Sequence, residues 1–282
     1  MDISLEFIAT NGIKLHTAFA GPADGEPVIL LHGYPDAWFG WEQQIKSLAE
    51  AGYRVIAPDQ RGYNLSDKPG GIDSYNLKVL AADIVGLADT LGIKKFYLAG
   101  HDFGGIVSWS IASLFPDRLK KLVIINVPHP RVMLKYVRTH PSQMRRSWYA
   151  YFFRLPWLPE KVVSAGNYNL LMSSMARGLS TGQRERYLEA WRQPGATTSM
   201  INWYRSMLAG GASMPFFKNP ITAPVLVIWG KQDPHIEYQM AQLSADYCRD
   251  GRVVMIEDAT HWVMVDKPDE AGRLIIEHFS KA

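Results

Sequence analysis

Six short runs of this chain are apolar nearly from end to end: EPVILLHG (26–33), YRVIAPD (53–59), KKFYLAG (94–100), KKLVIIN (120–126), PVLVIWG (224–230) and RVVMIED (252–258). A strand with one wet face alternates polar and apolar residues, whereas a strand apolar throughout is covered on both faces. Such strands need helices above and below the sheet, and the helices are present. YNLKVLAADIVGLADTLG (75–92), FGGIVSWSIASLFP (103–116), a stretch around 237–247 and the segment from Pro268 onward all have helical spacing. The N-terminal MDISLEFIATNGIKLH alternates like a strand. Strands alternating with helices predict an α/β architecture around a mostly parallel sheet.

From Pro128 to about residue 224 the alternation stops. Trp, Tyr, Met and Arg recur at helical spacing, broken by Pro141, Pro156, Pro159 and Pro194. A sheet interrupted by a helical block and then resumed predicts a core domain of residues 1–128 and 217–282, with a helical cap of 129–216 over one edge. No internal repeat or low-complexity tract occurs.

Composition excludes several classes of function. The net charge of +3 comes from 30 basic and 27 acidic residues with no block of one sign, so neither nucleic acid nor a membrane is expected as a partner. The most basic stretch, RTHPSQMRR (138–146), reads as a solvated helix face. Cys248 is the single cysteine, which rules out an intramolecular disulfide. The N-terminus lacks the apolar run of a signal peptide, and no stretch reaches the ~18 apolar residues of a span, so a cytoplasmic location is the expectation. The eight histidines have no metal-ligand spacing, and GHDFGG lacks the spacing of a phosphate loop; neither metal nor cofactor is expected.

In open parallel sheets ligands bind beyond the carboxyl ends of the strands. Three titratable side chains fall there: Asp102 after KKFYLAG, Asp233 after PVLVIWG, and His261 after RVVMIED. Each has a bland reading. Asp102 could cap the helix that follows it, Asp233 could open the turn before Pro234, and His261 could be a packed structural histidine. The order nucleophile, acid, histidine, with Gly100 and Gly104 flanking Asp102, is however that of the strand–elbow–helix hydrolases. A carboxylate at the elbow suits displacement at saturated carbon. The alkyl ester so formed can be hydrolysed by water that His261 deprotonates, with Asp233 orienting the imidazole. The loop HGYPDAW (32–38) places the backbone N–H groups of Tyr34 and Phe103 as donors to a tetrahedral oxyanion. A cis peptide before Pro35 would aim the Tyr34 N–H inward. His32 reads as an anchor of this loop.

The leaving group decides between reactions. A halide wants indole or amide N–H donors, which Phe103 and Tyr34 lack as side chains; an epoxide oxygen wants a proton, which phenols supply. The cap segments WYAYFFRLPWLPE (148–160) and INWYRSM (201–207) each place a tyrosine beside a tryptophan. Together with HGYP, GYRVIAPDQRGYNLSDKP, GHDFGG and IEDATHWVMVDKP, these stretches resemble the epoxide hydrolases of the α/β-hydrolase fold, over essentially the whole chain. The resemblance implies Asp102 as nucleophile, Asp233 and His261 as acid and base, and Tyr204 with Tyr149 as the pair that protonates the epoxide oxygen. A register change of two would put Tyr151 in place of Tyr149. Phe103 stands where many relatives carry tryptophan. It further implies a small apolar epoxide and water as the reactants. Trp38, Trp203 and Tyr151 are expected to contact substrate, with Phe39, Trp148, Phe152, Phe153 and Trp157 as further candidate lining. Fluoroacetate dehalogenases are excluded by Phe103 and Ile106, where they carry arginines. A haloalkane-type dehalogenase and a hydrolase-fold protein that only binds a ligand remain as alternatives.

Overall fold

The computed structural model describes residues 2–176, 178–209, 217 and 220–281. Eight strands form one sheet: β1 (Ser4–Thr10), β2 (Ile13–Ala20), β3 (Glu26–Leu31), β4 (Tyr53–Pro58), β5 (Phe96–His101), β6 (Leu119–Ile125), β7 (Val225–Gly230) and β8 (Gly251–Ile256). Their order across the sheet is β1-β2-β4-β3-β5-β6-β7-β8. From β4 to β8 every neighbour is parallel. These are the six apolar runs, and the centre of the sheet is buried on both faces, as in Val28–Leu31 and Leu122–Ile125.

The N-terminal stretch is two strands rather than one. Asn11 and Gly12 turn at φ 40° and 76°, two consecutive left-handed residues that form a tight hairpin, and β1 and β2 pair antiparallel on either side of it. The helices Leu77–Thr90 and Phe103–Leu114 pack together beside the sheet, while Glu42–Glu50 packs against Pro268–Ser280. Opposite faces of β2 to β8 feed two apolar clusters, one shared with the cap segment and one beneath the sheet.

Between β6 and β7 the chain runs through helices Pro130–Thr139, Pro141–Arg146, Trp148–Phe152, Leu158–Ser174, Thr181–Arg192 and Ala196–Ala209. Prolines open the first, second and fourth of them, where the absent N–H costs nothing. No strand occurs among the described residues of this block. The expected C-terminal limit of the cap, residue 216, lies outside the described residues.

Candidate active site

Asp102 joins β5 to the helix Phe103–Leu114 at φ 49° and ψ −121°. A non-glycine residue in that region stores strain of order 1–3 kcal/mol, held by the surrounding structure. Its side chain makes no cap hydrogen bond, so the capping role is not the one it fills. The elbow closes because its neighbours lack side chains: a Cβ on Gly104 would sit 2.1 Å from the Leu31 carbonyl oxygen, and one on Gly33 would sit 2.4 Å from the Asp102 Cβ. Asp102 Oδ1 accepts the Tyr34 N–H at 2.9 Å, beside a cis Tyr34–Pro35 peptide. Phe103 opens the helix, so its N–H belongs to the first turn, which has no partner inside the helix.

His261 donates from Nδ1 to Asp233 Oδ2 at 2.7 Å, and its Nε2 faces Asp102 Oδ2 at 3.6 Å. Asp233 Oδ1 accepts the N–H groups of His235 and Ile236 at 2.7 and 3.0 Å. The same residue therefore forms the local turn and holds the imidazole, and its two sequence readings coexist. Asn126, at φ 48° at the end of β6, donates to Asp233 Oδ2 at 2.7 Å and accepts the Gly230 N–H at 3.0 Å. Its position after KKLVII was the available signal, but nothing in the sequence linked it to Asp233. His101 donates from Nε2 to the His261 carbonyl at 2.9 Å, fastening the histidine loop to the elbow. His32 is the loop anchor expected, its Nε2 accepting the Gln60 N–H at 3.0 Å while burial keeps it neutral.

Burial opposes a charge on His261, but the carboxylates of Asp233 and Asp102 outweigh it and lift its pKa up to about 10. Burial would likewise raise Asp102, but His261 outweighs it and holds the carboxyl below its usual range. Asp233 is lowered by the same imidazole against the same burial. The resting site is thus an imidazolium between two carboxylates.

A cavity of about 320 Å³ opens over Asp102. Tyr149 and Tyr204 line it across from the carboxylate, their rings 5.8 Å apart. Burial raises both hydroxyls well above their ordinary value; the charge of Asp102 adds to this in each. Both phenols are therefore neutral donors near pH 7. Tyr151 lines the outer part of the same cavity and is half exposed, so of the two register alternatives Tyr149 is the one that faces the nucleophile.

The tryptophans expected to touch substrate lie elsewhere. Trp203 is buried behind Phe103 and Tyr63, its Nε1 donating to the Arg61 carbonyl at 3.0 Å. Trp38 belongs to the apolar cluster beneath the sheet and stacks under Arg186; Phe39 packs on Tyr187 and the same arginine. Trp148 and Trp157 point to solvent. Phe153 is buried among the rings of Tyr34, Tyr149 and Tyr204, and Phe152 packs at its side. Apart from Phe103 and the tyrosines, the apolar walls are aliphatic, among them Ile106, Val127, Met133, Leu134, Val137 and Met207. Trp191 and Trp203 direct their indole N–H groups to the backbone carbonyls of Pro35 and Arg61, which do not line the cavity.

Further hydrogen bonds tie the cap segment to the core and its own helices to one another. Tyr187 donates to Asp36 Oδ1 at 2.8 Å and Trp191 Nε1 to the Pro35 carbonyl at 2.6 Å, so one helix grips the loop that carries the Tyr34 N–H. Arg146 donates to the Asp233 carbonyl at 2.8 Å, so this member of the basic stretch reaches the acid's loop although its side chain stays exposed. Arg205 reaches from the Tyr204 helix to the Phe153 carbonyl at 2.9 Å and forks onto Glu160 at 2.6 and 3.0 Å. It ties the two tyrosine-bearing segments together, a role the motif NWYR did not reveal.

A carboxylate on a strained elbow, at the carboxyl ends of a parallel sheet, with its acid and imidazole on the loops after β7 and β8, defines a hydrolase of the α/β type. The comparisons agree. Residues 26–268 match the family described as alpha/beta hydrolase fold, and the chain belongs to that family, among its epoxide hydrolases. It is 43% identical to the AB hydrolase superfamily protein YfhM of Bacillus subtilis, over 98% of both chains. It is 36% identical to human epoxide hydrolase 4, over 95% of this chain and 76% of that one. The crystal structure of Bacillus megaterium epoxide hydrolase in complex with an inhibitor superposes with a TM-score of 0.89 at 28% identity, covering 98% of this chain and all of that one.

Proposed function

We propose that the protein hydrolyses a small apolar epoxide to a vicinal diol through an ester on Asp102, with water as the second reactant and no cofactor. Oδ2 of Asp102 attacks a ring carbon, the carbon–oxygen bond of the epoxide breaks, and the oxygen takes a proton from Tyr149 or Tyr204. Oδ1, already held by the Tyr34 N–H, becomes the carbonyl oxygen of the ester. Water then gives a proton to His261 and attacks the Asp102 carboxyl carbon. The tetrahedral oxyanion lies against the N–H groups of Tyr34 and Phe103. Collapse releases the diol oxygen, which takes the proton from the imidazolium, and the second proton of water passes from the regenerated Asp102 carboxyl to His261, restoring the resting imidazolium.

Esterification also explains how a histidine with so high a pKa can act as a base. Asp102 is one of the two charges holding the proton on His261, and forming the ester removes that charge. In the ester the His261 proton can therefore pass to the tyrosinate formed on ring opening, which leaves a neutral imidazole in the intermediate, where a base is needed.

The observation that carries this reading is the pair of neutral phenols lining the cavity with the nucleophile, among mostly apolar walls that Arg138, Ser147 and Arg154 interrupt. No indole or carboxamide lines that cavity among the described residues, which speaks against halide release. The test is a paired assay: purified protein with styrene oxide, and separately with a bromoalkane of similar size, quantifying diol and bromide. Diol without bromide is expected; bromide without diol overturns the proposal.

A further inference from the structure

Net charge conceals how unevenly this chain is charged. Between residues 130 and 161 it carries seven Lys and Arg against one acidic residue, Glu160, and Glu160 is taken by Arg205. The remainder of the chain is net acidic. Arg138, Arg145 and Arg154 are exposed, and none has a carboxylate partner among the described residues. The apolar surface collects in the same place. Of the fourteen large apolar side chains exposed among the described residues, eight lie between 144 and 170, and the two most exposed are Trp148 and Trp157, at 64% and 63%. Scattered exposed apolar residues are ordinary; a cluster built around two indoles is not.

The cluster has internal order. Leu158 and Val162 stand four residues apart on one helix, and so share a face. Lys161 lies over the Trp157 ring with its ammonium 5.0 Å from the centroid, so its stem follows the apolar surface and its charge stays in water. Tyr151, Arg138 and Arg154 belong to this surface and also line the cavity above Asp102. The basic surface therefore borders the mouth of the cavity, and each indole stands three residues along the chain from a lining residue, Trp148 from Tyr151 and Trp157 from Arg154.

We propose that this face of the cap is a docking surface for an anionic lipid bilayer. Indoles and aliphatic side chains seat among the headgroups, as Trp and Tyr do at membrane interfaces. The unpaired guanidiniums meet lipid phosphates, and the cavity opens toward the bilayer, from which an apolar substrate enters. Charge complementarity selects this occupant. A second copy of the chain would bring the same excess of cations against itself, and a nucleic acid would leave Leu155, Leu158 and Val162 without a partner. Attachment is peripheral, since no described helix is long and apolar enough to cross a membrane.

The test is flotation of the full chain with phosphatidylcholine vesicles and with phosphatidylcholine–phosphatidylglycerol vesicles, without substrate, so that the outcome is independent of the reaction. The protein should float with the mixed vesicles at low salt, less at high salt, and weakly with phosphatidylcholine alone. Each basic residue near an anionic surface contributes about fivefold to partitioning, so Arg145→Gln with Arg154→Gln should weaken binding about 25-fold. Trp148→Ser with Trp157→Ser should weaken it as well, while neither double variant shifts the thermal midpoint, because the side chains are exposed. Failure to float with the mixed vesicles at low salt overturns the proposal, as does binding that both double variants leave unchanged. A dimer in solution that the tryptophan variant dissociates, without vesicle binding, assigns the face to a second copy and also overturns it.

Discussion

Replacing His261 with Gln separates the two chemical steps, and the geometry says by how much. Ring opening uses Asp102 Oδ2, which stands 3.6 Å from the imidazole and does not depend on it for position, because Tyr34 holds the other oxygen at 2.9 Å. Loss of the imidazolium removes the charge that keeps Asp102 acidic, so we predict that ester formation at pH 8, where the carboxylate is ionised, slows by no more than about tenfold. Ester hydrolysis loses its general base, a contribution of about 100- to 10,000-fold. If the two steps run at similar rates in the wild type, about half of the enzyme is esterified at saturation; with the smaller of those penalties, about nine-tenths of the variant is.

The assay is intact-protein mass spectrometry after incubation with styrene oxide, followed by peptide mapping. The variant should gain the mass of one substrate on the peptide that contains Asp102. In heavy-oxygen water a single turnover of the wild type should leave the label in the Asp102 carboxylate rather than in the diol, because water attacks the carboxyl carbon. A His261→Gln protein that gains no mass while the wild type turns over would refute the two-step reasoning, and label found only in the diol would refute it independently.

Tyr149→Phe and Tyr204→Phe should each slow single-turnover ring opening by about 10- to 1000-fold while leaving hydrolysis of a preformed ester unchanged; a large effect from Tyr151→Phe instead would assign the proton donor to the wrong residue. Arg205→Ala leaves Glu160 with no cation in a largely buried site and should cost about 3 kcal/mol in unfolding free energy, so a loss below ~1 kcal/mol by denaturant titration would mean that the fork onto the neighbouring segment is not what holds it. Asp36 carries a pH signature: burial raises its pKa to about 7 although the Ala37 N–H and the Tyr187 hydroxyl both donate to it. Its folded pKa lies above its unfolded one, so the folded state keeps a proton that the unfolded chain releases, and wild-type stability falls as pH rises from about 4 to about 7, by up to ~4 kcal/mol. Asp36→Asn should therefore gain stability relative to the wild type between pH 5 and pH 8, and a difference that stays constant across that range would show that Asp36 does not titrate as its burial dictates.

What could be read from the sequence, and what could not, divides along a physical line. A strand covered on both faces must be apolar throughout, so β3 to β7 announce themselves, the half-covered edge strand β8 keeps an apolar run as well, and their ends point to Asp102, Asp233 and His261, which do converge in space. β2 was hidden because its covered side chains are interspersed with exposed Lys14 and half-buried Phe19, and because Asn11-Gly12 lay inside what reads as one alternating stretch. Contacts between distant segments left no local trace. Asn126 meets Asp233 across 107 residues and Trp203 meets Arg61 across 142, and neither side chain differs in its own neighbourhood from an ordinary loop polar residue or helix aromatic. The tryptophans show the cost of reading residue type as role: Trp191 and Trp203 are committed to backbone carbonyls, which leaves the cavity wall to aliphatic side chains and the proton donation to phenols. Averages mislead in the same way. A chain-wide charge of +3 is compatible with a neutral surface or with a strongly basic cap on an acidic core, and only the fold, by placing residues 138, 151 and 154 at one cavity mouth, shows that this excess of charge borders the active site.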